Sequence, residues 1–353
     1  MHLGASSSVY TRFAWRNCYA TEFSERLASG GTSRPFVDRK GPSVATSYLL
    51  GGHIPLTDSS VQEFYDRYAT IRRAFDEVAE WTELSVQNLL VGGGSSQGKE
   101  ALHAFDGLRQ ATLVVGMYDV LAERGIHPDA VGGISLGGVI AASLAGAVER
   151  SELFQMLHHH RLIPPQSPDS RPQGMAVAAL RFGDDPLDYY GERRPGIYLA
   201  ADYDAAHGGD VHVIVLSGYV DALEELVAEH PRRMQMLEEY PGAFHSPLAQ
   251  YATDFMEPYV AGMTFRDPKI TLFSSHTPDT VSTAEEVRQF FRDNHIRSAG
   301  VKPLMTQVER IGTTTVIGLG PGLPQRLVVE PLTMTLILTP DELDAATSTQ
   351  ALG

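Results

Sequence analysis

The hydrophobic pattern of the chain alternates between short apolar runs and longer segments with helical spacing. Residues 43–52, SVATSYLLGG, form an apolar run that ends in two glycines, which predicts a buried strand followed by a turn. Residues 59–81 repeat apolar side chains at helical spacing and predict a helix with Ser59 or Ser60 at its N-cap. Residues 99–126 predict one or two further helices.

The middle of the chain has a different pattern. Residues 164–174, PPQSPDSRPQG, are rich in proline and serine and break the helical spacing. Three strand-like runs follow, and then an amphipathic segment, 219–237, that predicts a helix. The strand-like runs are 174–182, 196–204 and 211–218. From residue 246 onward the pattern alternates again, with predicted helices at 247–262, 284–295 and 303–311 and predicted strands at 270–275 and 314–319.

These changes predict an α/β fold in which a large α/β-hydrolase-like domain is interrupted by a small ferredoxin-like α+β subdomain. We expect the large domain over residues 45–172 and 246–340, and the small subdomain over residues 173–245. Residues 1–44 are predicted to be an N-terminal extension, and residues 341–353 a C-terminal tail.

Composition favours a soluble protein of a reducing compartment. The 353 residues carry a formal net charge of −15, which argues against a nucleic acid partner. Cys18 is the only cysteine, so no disulfide can form within the chain. The sequence contains no run of 18 apolar residues and no signal-peptide pattern. We therefore expect a cytoplasmic protein without a membrane partner.

One short segment carries the pattern of a catalytic turn. Residues 129–150, DAVGGISLGGVIAASLAGAVER, place Ser135 between Gly133 and Gly137, after a predicted strand and before a predicted helix. In that context Gly-x-Ser-x-Gly is typical of a nucleophile elbow, where a tight turn lifts the serine hydroxyl to a helix N-terminus. Free N–H groups and the helix dipole favour the negative charge of acyl transfer there. Taken alone, the pattern also fits a small residue packed between glycines.

A nucleophilic serine needs a base, and His245 is the best candidate. It lies in YPGAFHSPLAQ, residues 240–250, a loop flanked by proline and glycine that precedes a predicted helix. An imidazole within hydrogen-bond reach of a serine can take its proton and return it to a leaving group. The alternative for this segment alone is a partly buried loop histidine without a chemical role.

Two other motifs suggest chemistry that the rest of the sequence does not support. Residues 92–100, GGGSSQGKE, approach a phosphate-binding loop, but Glu100 occupies the position of the hydroxyl that would bind Mg²⁺. Residues 158–161, HHHR, suggest a metal site, but adjacent helix positions point in different directions. We therefore expect neither an NTPase site nor a metal site.

Taken together, these segments resemble the malonyl-CoA:acyl-carrier-protein transacylase family, which includes the acyltransferase domains of polyketide synthases. The resemblance runs from about residue 45 to about residue 335, in the family's order. GIHPDAVGGISLGG is similar to the family's elbow, and GAFHSPL to its catalytic-histidine motif. RQATLVV, MAVAAL, VIVLSG, RDNHIRSAG and GLGPG are similar to further signatures of the family.

The resemblance implies roles for individual residues of this sequence. It implies that Ser135 is the nucleophile and His245 its base. The family's oxyanion hole maps to the backbone N–H groups of Gly52 and Leu136, although the glutamine that the family carries at Gly52 is absent here. The backbone carbonyl that orients the catalytic histidine maps to Asn294.

The acyl pocket implied by the resemblance contains Gln110, Ile134, His160, Arg161 and Phe244. The family arginine that pairs with the free carboxylate of malonyl groups falls at His160, and Arg161 lies about 100° further around the helix. A buried carboxylate without a bidentate arginine lacks much of its compensation. The sequence therefore predicts an acyl group that is not dicarboxylic. Ordinary malonyl transfer is the alternative, if a helix distortion brings Arg161 into place.

The resemblance implies a ping-pong acyltransferase of polyketide or other secondary metabolism. An acyl group would pass from acyl-CoA or acyl carrier protein to Ser135, and then to a carrier protein or a product hydroxyl, with no cofactor besides these substrates. An acyl-carrier-protein editing hydrolase and a degenerate binding module are alternatives with the same fold. An esterase of the α/β-hydrolase type would need an acid between Ser135 and His245, for which Asp202, Asp204 and Asp221 are available.

Overall fold

The structure is a computed structural model that describes residues 45–92, 98–167, 169–181, 183–205, 211–323 and 332–349. The predicted N-terminal extension, residues 1–44, lies outside the described residues, as do residues 93–97 of the phosphate-loop-like motif and residues 350–353 of the predicted tail.

Strands and helices alternate along the described residues. The strands are β1 Ala45–Leu50, β2 Ala130–Gly133, β3 Gln173–Arg181, β4 Ile197–Ala205, β5 Val211–Tyr219, β6 Met234–Met236, β7 Thr271–Phe273, β8 Ala299–Gly300, β9 Thr313–Leu319 and β10 Thr333–Ile337. The α-helices are α1 Asp58–Arg67, α2 Ala69–Thr82, α3 Val86–Val91, α4 Lys99–Glu123, α5 Leu136–Leu144, α6 Arg150–His159, α7 Val220–Glu229, α8 Gln250–Gly262, α9 Ala284–Asp293, α10 Val301–Arg310 and α11 Pro340–Thr349. None of the described helices combines the length and the apolar character needed to span a membrane.

Five parallel strands form the first sheet, in the order β10-β9-β1-β2-β7. β1 lies at its centre because the chain adds β2 on one side and later β9 on the other. In open α/β sheets, ligands bind at the carboxyl ends of the strands where the order reverses in this way. Leu50 of β1 pairs with Gly133 of β2, so the segments that follow these two strands lie side by side.

The second sheet is smaller and has the order β6-β3-β5-β4-β8. Its pairs are antiparallel except for β4 with β8, which is parallel. Leu223 and Leu226 of α7 are buried in an apolar cluster with Ala176 and Leu216 of the sheet. Strand β8 comes from Ala299–Gly300, outside the predicted range of the small subdomain. The domain boundaries remain a prediction.

A cleft of about 840 Å³ separates the two sheets. Its walls include the residues that follow β1 and β2 on one side, and Val177 of β3 and Val215 of β5 on the other. The two sheets are also in contact, because Tyr203 of β4 packs against the apolar cluster that contains Leu49 of β1 and Phe273 of β7. The fold therefore places the carboxyl ends of β1 and β2 inside a cleft that the second sheet covers.

The predicted helix over residues 59–81 is two helices. Tyr68 has an extended backbone, with φ −119° and ψ 120°, and separates α1 from α2. The N-cap is Thr57, whose hydroxyl accepts a hydrogen bond from the N–H of Ser60, so the prediction of Ser59 or Ser60 is wrong.

The predicted helix over residues 219–237 is also too long. Helix α7 ends at Glu229, and Pro231, which has no N–H to donate, follows two residues later. Met234–Met236 then forms the edge strand β6 beside β3.

Candidate active site

Ser135 lies on a tight turn between β2 and α5, as the elbow pattern predicts. Its backbone has φ 54° and ψ −117°, a conformation that side-chain-bearing residues rarely adopt. A Cβ on Gly133 would lie 2.4 Å from the carbonyl carbon of Gly137, and a Cβ on Gly137 would lie 2.4 Å from the carbonyl oxygen of Leu50. The two glycines are therefore required because strand, turn and helix approach one another closely.

The structure brings Ser135 and His245 together. The Oγ of Ser135 lies 2.7 Å from Nε2 of His245. The Nδ1 of His245 lies 3.0 Å from the carbonyl oxygen of Arg297, and its backbone N–H donates to the carbonyl of His295 at 2.6 Å. When Nδ1 carries the proton and donates it to that carbonyl, Nε2 is left as the acceptor for the serine hydroxyl.

The carbonyl beside His245 belongs to Arg297, so the prediction that Asn294 orients the histidine is wrong. Helix α9 ends at Asp293, and the N–H groups of Ile296 and Arg297 both donate to the Asp293 carbonyl. Because of this turn, the carbonyl that lies beside the imidazole is that of Arg297, three residues after Asn294. Asn294 lines the cleft instead, and its Oδ1 is buried without a hydrogen-bond partner among the described residues.

Burial keeps His245 neutral. The pKa of the His245 imidazole is lowered to about 3, mainly by desolvation and in smaller part by His276 and His295, while the hydrogen bond to the Arg297 carbonyl opposes the shift. At neutral pH the imidazole is therefore uncharged and able to accept a proton from Ser135.

Gly52 and Leu136, the predicted oxyanion-hole residues, both line the cleft. Leu136 is the first residue of α5, so its N–H has no acceptor within the helix. Gln110 holds the loop that carries Gly52: its Nε2 donates to the Gly52 carbonyl at 2.9 Å, and its Oε1 accepts from the N–H of Ile54 at 2.9 Å. The oxyanion hole itself stays a prediction.

Gln110 is buried behind this loop and does not line the cleft, so its predicted place in the acyl pocket is wrong. The GLGPG segment supports the same loop from another side. Gly322 has φ 89°, and a Cβ there would lie 2.2 Å from the Gly52 carbonyl oxygen. The loop after β1 is thus held between a buried glutamine and a close-packed glycine turn.

Three of the predicted acyl-pocket residues, Ile134, His160 and Phe244, line the cleft. Arg161 does not line the cleft, so its predicted place in the acyl pocket is wrong. Helix α6 ends at His159, and a 3₁₀ turn over His160–Leu162 changes the direction of the next side chains. The Nη1 of Arg161 lies 3.0 Å from Nδ1 of His158.

The HHHR segment does not converge on one point. His158 contacts Arg161, His159 stacks on Tyr259, and His160 contacts His295. Within the described ranges, no group of three or more His, Cys, Asp or Glu side chains is placed to hold a metal ion.

The three aspartates considered for an esterase triad lie elsewhere. Asp202 Oδ1 lies 2.6 Å from Nε2 of His212, and Asp221 forms an ion pair with Arg171 at 2.8 Å. None of the three is hydrogen-bonded to His245, whose Nδ1 faces a backbone carbonyl instead. The structure thus does not support an esterase triad.

Further aromatic residues line the cleft without having been predicted from the sequence, among them His53, His103, Tyr240 and His295. His103 could have been predicted from helical spacing. His103, Gly107 and Gln110 occupy positions i, i+4 and i+7 of α4 and therefore share one helix face. His53, Tyr240 and His295 lie outside the regular elements and carried no periodic signal.

Comparison with known proteins finds similarity to the proteins that the motifs resemble. No family model matches the chain. The chain is 26% identical over 230 residues to the malonyl CoA-acyl carrier protein transacylase of Synechocystis sp.. This match covers 64% of the chain and 75% of that protein. It is 29% identical over 168 residues to a highly reducing polyketide synthase of Aspergillus fumigatus, but it spans only 6% of the length of that protein.

Solved structures share the fold. The crystal structure of the Synechocystis malonyl-CoA:ACP transacylase superposes with a TM-score of 0.72 at 20% identity, and covers 85% of this chain and 99% of that one. A malonyl-transacylase in complex with a type II polyketide synthase acyl-carrier protein has a TM-score of 0.72 at 15% identity, and covers 86% of this chain and 99% of that one. The chain is thus similar in sequence to malonyl CoA-acyl carrier protein transacylases and to polyketide synthases, as its motifs predicted, and it shares the fold of the solved transacylases.

Proposed function

We propose that the chain is an acyltransferase that takes an acyl group from the thioester of coenzyme A or of a carrier protein and passes it, through an ester on Ser135, to a carrier protein or a product hydroxyl. One observation carries this proposal: the Ser135 Oγ lies 2.7 Å from a neutral imidazole inside a deep cleft. The relatives that bear transacylase and polyketide synthase names support the class of reaction.

The reaction runs in two halves. As the Ser135 Oγ attacks the thioester carbonyl carbon, its proton passes to Nε2 of His245, and the carbonyl electrons move onto oxygen. The N–H groups of Leu136 and Gly52 are the donors for that oxyanion. When the carbonyl reforms, the C–S bond breaks and the leaving thiolate takes the proton from His245, which leaves an acyl ester on Ser135. An acceptor thiol or hydroxyl then repeats these steps in reverse.

The proposed acyl group is not dicarboxylic. The charged residues among those that line the cleft are Glu100, Arg232, Arg233 and Glu239. Arg232 and Glu239 are exposed, and Arg233 pairs with Asp184, so none of them is a free buried cation. The position that the family resemblance gives to a carboxylate-binding arginine holds His160, whose pKa lies well below its usual range, chiefly because the protein desolvates its imidazole.

Transfer between two chemically distinct thiols tests this proposal. Butanoyl-N-acetylcysteamine is incubated with coenzyme A and enzyme, and the formation of butanoyl-CoA is followed by chromatography. The same assay with malonyl-N-acetylcysteamine gives the rate for a dicarboxylic acyl group. We expect butanoyl transfer to be faster than malonyl transfer, and to be lost in Ser135→Ala. Faster malonyl transfer would contradict the substrate class, and the absence of transfer from either thioester would contradict the acyltransferase itself.

A further inference from the structure

Six aromatic side chains form a continuous wall along the cleft, which we call the ring wall: Tyr240, His53, His103, Phe244, His295 and His160. Successive rings touch in that order, with centroid distances of 6.0, 4.2, 5.3, 6.3 and 5.1 Å. Four of the six rings are imidazoles. A wall built only to hold an alkyl chain would not need these polar atoms.

The imidazole nitrogens of the ring wall have no hydrogen-bond partners among the described residues. Both nitrogens of His53 and the Nδ1 of His103 are buried and unpaired. His160 and His295 are only partly buried, and they line the cleft. Asn294 also lines the cleft, and its Oδ1 has no hydrogen-bond partner among the described residues. Buried polar groups are nearly always paired in native proteins, so this concentration indicates a ligand or water that completes them.

The charge state of the wall decides which ligand chemistry fits. Burial lowers the pKa of His53 and His295 to about 4, and that of His103 and His160 well below the usual range. Each imidazole is therefore neutral at pH 7, with one donor and one acceptor nitrogen. A hydroxyl group, which both donates and accepts, matches such a ring. A carboxylate requires donors only, and an alkyl chain would displace water and leave the nitrogens unpaired.

We propose that the acyl group carried by this protein is an uncharged chain that bears at least one hydroxyl group, which hydrogen-bonds to the imidazoles of the ring wall. This inference rests on the proposed acyltransferase function and narrows its substrate class. It explains why histidines, rather than apolar residues alone, surround the space next to Ser135 and His245.

The test compares thioesters of equal chain length on the same enzyme. Hexanoyl-, 3-hydroxyhexanoyl- and 5-hydroxyhexanoyl-N-acetylcysteamine are each mixed with enzyme, and the rate of covalent acylation is followed by intact-protein mass spectrometry. We expect at least one hydroxyhexanoyl group to load at least about tenfold faster than hexanoyl, because a site built to bond a hydroxyl disfavours the analogue that lacks it. A smaller preference would overturn the inference while leaving the acyltransferase intact. No acylation by any of the three would contradict the acyltransferase function itself.

Variants connect the preference to the ring wall. We expect His103→Phe, His160→Phe or His295→Phe to bring the hydroxyhexanoyl to hexanoyl rate ratio close to one in at least one case. The ratio is measured on one preparation, so partial misfolding lowers both rates and leaves it unchanged. His127→Phe is the matched control, because His127 is exposed and lies before β2, at the end of the strand opposite Ser135. Retention of the wild-type ratio in all three wall variants would overturn the inference.

Discussion

The Oγ of Ser135 and the Nε2 of His245 lie 2.7 Å apart, although 110 positions separate the two residues in the chain. Both residues have positive φ, 54° for Ser135 and 60° for His245, and only Glu83 and Asp204 share this property among the described non-glycine residues. Such backbone conformations cost free energy and persist where the surrounding packing enforces them, which happens most often at active sites. The serine turn and the histidine loop are thus both built to hold this contact.

The neutral state of His245 makes a prediction about pH. Because its pKa is lowered to about 3, protonation of the base should not limit acylation until well below pH 6.5. We expect the single-turnover acylation rate to stay nearly constant from pH 8 to about pH 5. A fall in rate with a midpoint near pH 6.5 would show instead that the histidine titrates like an exposed one.

The same measurement needs a folding control. His53 and His295 of the ring wall have lowered pKa values because the protein desolvates them, so the unfolded chain binds more protons than the folded chain below pH 6.5. Stability therefore falls as the pH decreases through that range. Circular dichroism at each pH separates a loss of fold from a loss of the base.

Arg297 orients His245 through its backbone carbonyl, so its side chain should be dispensable. The guanidinium is half exposed and pairs with Asp293 at 3.0 Å, a surface ion pair of small energetic weight. We expect Arg297→Ala to change the acylation rate by less than about threefold. A loss of a hundredfold or more would mean that the guanidinium acts on the reaction directly.

Gln110 should affect catalysis without touching the substrate. Gln110→Leu leaves the Gly52 carbonyl and the Ile54 N–H unpaired, so the proposed oxyanion loop loses its support. We expect kcat to fall by about tenfold to a hundredfold with little change in KM.

Gln307→Leu is the matched control for Gln110→Leu. Gln307 is also a buried glutamine that bridges a loop, accepting from the N–H of Ser274 and donating to its carbonyl, but Ser274, unlike Gly52 and Ile54, does not line the cleft. Both variants should lose stability, by about 1–3 kcal/mol for unpaired buried groups. An equal loss of kcat in both would assign the effect of Gln110 to stability alone.

The glycine turn behind the loop gives a second, steric test. An alanine at Gly322 would place its Cβ 2.2 Å from the Gly52 carbonyl oxygen, at a φ of 89°. Gly312 also has positive φ, 73°, but its Cβ would meet nothing within 4 Å. We expect Gly312→Ala to cost about 1 kcal/mol of stability and to keep its activity, whereas Gly322→Ala should lower both the melting temperature and the acylation rate. Equal behaviour of the two variants would contradict the contact.

The contact between Ser135 and His245 could be predicted because each residue lies in a short motif whose residue types are dictated locally. The glycines around Ser135 are required by strand and helix packing within a few residues. The partner of His245 Nδ1 could not be predicted, because any residue can supply a carbonyl and its identity depends on where α9 ends.

The cleft lining around His160 was predicted less well for a similar reason. Helical spacing placed the family's arginine position at His160, and only a helix distortion would have brought Arg161 into the pocket. The 3₁₀ turn over His160–Leu162 is such a distortion, but it leaves His160, not Arg161, lining the cleft. His53, His103 and His295 come from three distant segments, and only tertiary packing assembles them into the ring wall.

Trapping the acyl-enzyme tests the central claim most directly. Wild type, Ser135→Ala and His245→Gln are mixed with butanoyl- and 3-hydroxyhexanoyl-N-acetylcysteamine, quenched in acid, digested and mapped by mass spectrometry. We expect one added acyl mass on the peptide that contains Ser135, none in Ser135→Ala, and acylation slowed by about 10²- to 10⁴-fold in His245→Gln. An adduct of undiminished yield in Ser135→Ala, or no adduct on the Ser135 peptide of the wild type, would contradict it.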